Sequence, residues 1–167
     1  GALTALLDTF HPVRLDPDHV SGDLLGNAYE YLLREFAEAS GKKAGEFFTP
    51  RHVVHLLVKI LDPKPGDEVV DPACGSGGML VETVNAVRES GGNPDSLRLH
   101  GQEINLTTYN LARINMFLHD VNYEKFDIAH GDTLIDPQHW DDEPFEAIVS
   151  NPPYSTKWPG DSDPVLI

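Results

Sequence analysis

Apolar positions along the first third of the chain recur every three to four residues, and beyond it they gather into short runs spaced by helix-length segments. In "SGDLLGNAYEYLLREFAEASGKK", Leu25, Ala28, Tyr29, Leu32 and Phe36 fall at helical spacing, with Ser21 or Asp23 available as cap and Gly41 as terminator. The residues before Ser21 include Pro12 and Pro17 and read as a helical turn followed by loop. A second helix follows "FFTP": Val53, Val54, Leu57, Ile60 and Leu61 share a face, and Pro50 suits the first turn. "DPKPGD" then makes a turn.

From there an alternation is expected: strand 68–71, helix 78–89, strand 97–102, helix 106–119, strand near 126–129 and strand 145–149. Strands separated by helix-length segments imply βαβ units and a mostly parallel sheet, preceded by helices. Residues 1–44 thus form a helical N-terminal segment and 45–167 an α/β core. In such sheets ligands sit beyond the carboxyl ends of the strands, and the unusual residues of this chain fall there.

At 167 residues the chain has the size of one domain and the length to bury a core. No apolar run approaches the roughly 20 residues a membrane span needs, and no secretory signal opens the chain, so no membrane partner is expected. The lone Cys74 leaves no internal disulfide and fits a reducing, cytoplasmic setting. The chain does not begin with Met and reads as a piece of a longer protein. Charge changes the picture more. With 12 Lys+Arg against 27 Asp+Glu the net charge is −15, which argues against a free-standing nucleic-acid binder. If this chain handles DNA, most of the grip comes from elsewhere.

"VVDPACGSGGML" follows the first strand and opens a helix. Gly75, Gly77 and Gly78 let the backbone turn sharply and approach a ligand, or simply make a tight turn. The dinucleotide pattern G-x-G-x-x-G fails at Leu80, and a P-loop's Gly-Lys-Ser/Thr is absent. Asp71 at the strand end is poorly placed for phosphate but well placed for a cation or amine. A nucleoside with a positive end is therefore favoured. Glu103, ending the second strand in "HGQEIN", lies where a carboxylate accepts hydrogen bonds from both ribose hydroxyls, unless it is a solvated surface group. Asp132 and Thr133 in "HGDTL" either make a turn or reach the edge of an adenine ring.

The stretch "FEAIVSNPPYSTKW" ends a strand with an amide, two prolines and an aromatic ring. Asn151 offers its amide oxygen and Pro152 its carbonyl. Pro152 and Pro153 stiffen the loop without a competing N–H. Two fixed acceptors suit an exocyclic amino group, and Tyr154 offers a face for stacking a planar ring. His52 and His55, three apart, lack a matching Cys or carboxylate and read as helix-face residues rather than a metal pair. Cys74 reads as a small buried residue rather than a nucleophile. Lys42, Lys43 and Lys157 either touch a phosphate backbone or serve only the surface.

"DPACGSG" followed by "NPPY" resembles the S-adenosylmethionine-dependent methyltransferases that modify exocyclic amines of DNA bases. "GEFFTPRHV" looks like the segment that, in N6-adenine DNA methyltransferases, closes over the methionine end of the cofactor. Taken with "LLGNAYEYLLREFA" and "NPPYSTKW", the chain from about residue 20 onward resembles the modification subunit of type I restriction–modification systems. The resemblance implies a Rossmann-like methyltransferase fold, truncated after the NPPY motif. It implies that Glu46, Phe47, Phe48, Thr49, Pro50, Arg51, Asp71, Ala73, Gly75, Ser76, Gly77, Gly78 and Glu103 line the cofactor site, with Asp132 by the adenine of S-adenosyl-L-methionine. Asn151, Pro152, Pro153 and Tyr154 are the implied catalytic residues, holding an adenine flipped out of double-stranded DNA. A specificity subunit, and a restriction subunit as a further member, are the implied partners. Methylation of a glutamine side chain in a protein, of cytosine N4, or a fragment that binds cofactor without activity are the alternatives.

Overall fold

The computed structural model describes residues 4–5, 8–9, 11–12, 14, 19, 22–39, 48–140 and 144–153. Helices α1 (Gly22–Ala39) and α2 (Arg51–Leu61) precede the sheet. The alternation that follows is β1 (Glu68–Asp71), α3 (Gly78–Glu89), β2 (Arg98–Glu103), α4 (Leu106–Leu118), β3 (Phe126–His130) and β4 (Ala147–Ile148). The four strands form one parallel sheet in the order β3-β2-β1-β4. The chain therefore steps outward from β1 through β2 to β3, then returns to pair β4 on the other side of β1. That reversal is the switch point of a doubly wound, Rossmann-like sheet, and it opens a crevice at the carboxyl ends of β1 and β4.

The core is aliphatic. Val69, Leu99 and Ile128 from the sheet, with Leu97 just before β2, pack with Leu80, Val81, Val84 and Val87 of α3 and with Ala112 and Met116 of α4. Val54 and Val58 of α2 join the same cluster. No helix among the described residues is long and apolar enough to cross a membrane.

β1 and α3 have the expected bounds, and the other elements differ in detail. β2 begins at Arg98 because the Leu97 N–H is taken by Pro94 O, closing the 3-10 turn Pro94–Ser96. α4 stops at Leu118, with His119 as its capping residue. β4 is shorter than the expected 145–149, although the Glu146 and Val149 N–H groups still donate to Glu68 O and Val70 O of β1. Pro50 is the N-cap of α2 rather than a residue of its first turn. On α2, Val54 and Val58 are buried, while Val53 and Ile60 of the expected face are exposed.

The face of α1 is the main correction. Leu25, Leu32 and Phe36 are 39%, 49% and 64% exposed, whereas Leu33 and Ala37 are 4% and 2% exposed. The buried stripe runs through Gly26, Leu33 and Ala37, one position round the helix from the one expected. The reason is Gly26. A Cβ there would meet the His119 ring at 2.5 Å, so only the absence of a side chain lets α1 lie against the end of α4. The Tyr29 hydroxyl completes the contact by donating to Leu111 O of α4 at 3.2 Å.

Candidate active site

The loop between β1 and α3 turns on two glycines in the left-handed region, Gly75 at φ 56° and Gly77 at φ 80°. Its shape is held by its own bonds and by the tip of β2. Gly77 N–H donates to Cys74 O at 2.8 Å, and Cys74 N–H donates to Gln102 O at 3.0 Å. Gly75 N–H donates to Glu103 Oε2 at 3.1 Å, while the other oxygen of that carboxylate accepts from Asn105 N–H at 2.8 Å. Glu103 therefore ties the glycine loop to the start of α4, and each of its oxygens keeps lone-pair capacity for a ligand hydroxyl.

Asp71, the last residue of β1, is 2% exposed. Its Oδ1 accepts from Ala73 N–H at 3.1 Å. Burial pushes its carboxyl up to about 7, with the Glu103 charge adding to the rise and the Ala73 N–H opposing it. The Ser150 hydroxyl at the end of β4 also favours the carboxylate, but the buried Oγ does not meet hydrogen-bond geometry with it. Asp71 is thus a buried acid whose charged form is disfavoured until a positive group comes near. Cys74 beside it is buried, and burial together with the nearby Asp71 and Glu103 charges pushes its thiol well up, the behaviour of a packing residue rather than a nucleophile.

One cleft, open to solvent, brings Asp71 and the glycine loop together with residues from other segments. Phe48, Thr49, Arg51, Asp71, Ala73, Gly75, Ser76, Gly78 and Asn151 all line it. Asn151 comes from the tip of β4 and Thr49 from the segment leading into α2. The Asn151 Nδ2 donates to Thr49 Oγ1 at 3.1 Å, joining positions 102 apart in the chain. Gly77 lies beneath the floor, where a Cβ would come 2.9 Å from Met116 Cε. Pro50, Pro152 and Pro153 are exposed and are not among the residues lining the cleft.

Asp132 does not line the cleft. Its Oδ1 caps the turn after β3 by accepting from Leu134 N–H at 3.0 Å, and it is half-buried. The neighbouring Thr133 donates to Pro72 O at 2.6 Å, fastening the β3 tip to the glycine loop. Glu46, Phe47, Tyr154, Gly41 and the three lysines Lys42, Lys43 and Lys157 lie outside the described residues. His55 pairs with Glu82 through Nδ1, and His52 is exposed. Among the described residues no cluster of three His, Cys, Asp or Glu side chains converges as a metal site.

Several lining residues were not anticipated. Glu30 and Leu33 reach the cleft from α1, Glu82 from α3 and Asn115 from α4. Burial raises the Glu30 carboxyl, with Arg51 opposing the rise and Glu82 adding to it. Asn115 is buried, donates through Nδ2 to Ser76 O at 3.0 Å, and has no partner for Oδ1 among the described residues. The available signal was a polar residue inside an otherwise apolar helical stripe. Glu30 follows Gly26 by four, and Asn115 follows Ala112 by three.

A family model described as N-6 DNA methylase matches residues 20–165. Over 176 aligned positions the chain is 41% identical to the type I restriction enzyme MpnII methylase subunit of Mycoplasma pneumoniae, covering 99% of this chain and 32% of that protein. It is 40% identical over 143 positions to the HindI methylase subunit of Haemophilus influenzae, covering 85% and 32%. Among solved structures, the type I restriction-modification methyltransferase subunit of Streptococcus thermophilus superposes with TM-score 0.72 at 44% identity, covering 86% of this chain and 31% of that one. The chain spans about a third of the length of the curated relatives it matches.

Proposed function

Because the chain belongs to the N-6 DNA methylase family, we propose that it carries the cofactor- and amine-holding half of a type I modification subunit that methylates adenine N6 in DNA. The observation that carries this reading is one cleft lined together by Asn151, the glycine loop and the buried Asp71. S-adenosyl-L-methionine fits the donor set. Asp71 is a buried carboxylate awaiting a cation, Gly75 and Gly77 bring backbone close to a ligand, and Arg51 is the only basic side chain among the described lining residues. Asp71 and Arg51 would hold the charged methionine end, and Glu103 the ribose. Bound there, the cofactor supplies a methyl group on a positively charged sulfur.

The rest belongs to the chain's own residues. Adenine N6 is a poor nucleophile because its lone pair is delocalised into the ring. Asn151 Oδ1 and the Pro152 carbonyl accept the two N6 hydrogens and favour a pyramidal nitrogen whose lone pair points at the methyl. Neither acceptor is a strong base, so the surplus proton on N6 would leave through water rather than to Asn151 or Pro152. Positioning of this kind is worth roughly 7–11 kcal/mol when the reacting atoms are aligned. Tyr154 stacks on the base, which leaves the duplex at a cost of about a few kcal/mol. With a net charge of −15 the chain leaves most of the DNA grip to a partner, in this reading a specificity subunit, with a restriction subunit as a further member of a cytoplasmic complex.

The deciding experiment incubates the complete subunit, with its specificity partner, with labelled S-adenosylmethionine and either DNA or a glutamine-bearing release-factor protein. Label in N6-methyladenine is the expected result. Label in protein, or in N4-methylcytosine, overturns the reading.

Asp71 adds a pH dependence with a definite sign. Its folded value, about 7, lies above its ordinary 3.8, so ionising it weakens the empty fold. That contribution is fully present below pH 3.8 and is lost as pH rises through 7. Holding a cation requires the ionised form. Cofactor affinity should therefore fall as pH drops below 7, approaching about tenfold per pH unit. Titration calorimetry between pH 5.5 and 8 checks this, and Asp71→Asn should bind weakly with a flat profile over the same range.

A further inference from the structure

We infer that Thr49 is a positioning residue for methyl transfer: its hydroxyl oxygen holds the Asn151 amide in the flip state that presents Oδ1 to the substrate amine. The inference rests on the reading of Asn151 given above. It concerns a residue which the family resemblance places only against the cofactor.

The need for such a device follows from the chemistry of an amide. The terminal torsion of Asn is broad and two-fold, and its oxygen and NH₂ ends are nearly the same size. An Asn turned by half a revolution would aim two N–H donors at an exocyclic amine whose hydrogens are themselves donors. The acceptor would be lost and donor would face donor. Only one of the two amide states can hold the substrate.

The structure supplies the discriminating contact. Asn151 Nδ2 donates to Thr49 Oγ1 at 3.1 Å, and Oδ1 has no hydrogen bond among the described residues. The anchor is stiff for three reasons. Thr49 precedes Pro50, which restricts its backbone to extended conformations. Its β-branched side chain has few χ1 states. Pro50 O accepts from the Val53 and Val54 N–H groups at 2.9 and 3.1 Å, fixing this segment to the first turn of α2. Both Thr49 and Asn151 are half-buried and line the same cleft. A hydroxyl can also donate, so it favours one flip state only when its own proton points elsewhere. In the structure the Thr49 oxygen is the acceptor and Nδ2 the donor.

Thr49→Val keeps the shape and removes the acceptor, and Thr49→Ser keeps the acceptor. Both are made in the complete subunit with its specificity partner. Single-turnover methyl transfer is measured at saturating S-adenosylmethionine and DNA, with cofactor affinity measured separately by calorimetry. Thr49→Val should transfer about 10- to 100-fold more slowly, the size of effect expected when one hydrogen bond is left unmade. Its cofactor affinity should stay within about threefold of wild type, and Thr49→Ser should recover most of the rate. An unchanged rate in Thr49→Val, a deficit found entirely in cofactor affinity, or a Thr49→Ser variant as slow as Thr49→Val each overturns the inference. A wild-type subunit that methylates no DNA would instead overturn the proposed function.

Discussion

Asn151→Ala should slow methyl transfer at least about 10²–10³-fold, the loss typical of removing one preorganised polar contact from a reacting group. Cofactor affinity should stay within about threefold of wild type. The asymmetry follows from where the side chain sits. Asn151 occupies the β4 side of the cleft, while Asp71, Gly75 and Ser76 form the β1 side. The Asn151 contact found within the protein is to Thr49, not to the glycine loop. Truncation removes an acceptor from the target amine and leaves the loop's bonds to Gln102 and Glu103 in place. Rapid-quench transfer on a duplex oligonucleotide, run beside a cofactor titration, separates the two effects. A variant that transfers at the wild-type rate would falsify the proposed chemistry.

Two adjacent glycines should respond in opposite ways to the same one-carbon change. Gly77→Ala forces an L residue into the left-handed region at φ 80°, a cost of roughly 1–2 kcal/mol. It also pushes a Cβ to 2.9 Å from Met116 Cε and 3.5 Å from Ala112 Cβ, and overpacking of this kind costs about 1–3 kcal/mol. Met116 is a flexible side chain and can give some way, but it is fully buried in the aliphatic core. A Tm drop of roughly 5–15 °C is expected, given about 2–4 °C per kcal/mol at this size. Gly78→Ala meets nothing within 4 Å and lies on the first residue of α3, so its Tm should hold or rise slightly. Thermal unfolding of the pair by circular dichroism is the check. Equal Tm values would mean that the floor of the glycine loop is looser than its contacts indicate.

The sheet was legible where local pattern and tertiary packing agree. Glu68–Asp71 and Gly78–Glu89 are bounded by turn residues that no distant contact overrides. The α1 face was not legible from hydrophobicity, because the decisive residue is a glycine, which contributes nothing to an apolar stripe. Gly26 counts only once the His119 ring of α4 is set against it. The site divides the same way. "DPACGSGG" and "NPP" are contiguous, and their meeting follows from both standing at carboxyl ends of neighbouring parallel strands. Glu30, Glu82 and Asn115 enter the cleft from three helices and acquire meaning only in three dimensions. Glu103 was assigned to ribose from its place after β2, yet the structure also gives it a job inside the protein, bonding Gly75 and Asn105. A carboxylate at a strand tip can do both, and only coordinates reveal the second.

The carboxyl ends of three strands are laced to one another. Thr133 donates to Pro72 O, Gln102 donates through Nε2 to Asp136 O and accepts at Oε1 from Gln138 N–H, and the Cys74 and Gly75 amides donate to the β2 tip. Opening any one of these loops breaks bonds to its neighbours. Amide hydrogen exchange at Cys74, Gly75 and Gln138 should accordingly share a single opening free energy and slow together when a ligand occupies the cleft, as one latch rather than three hinges.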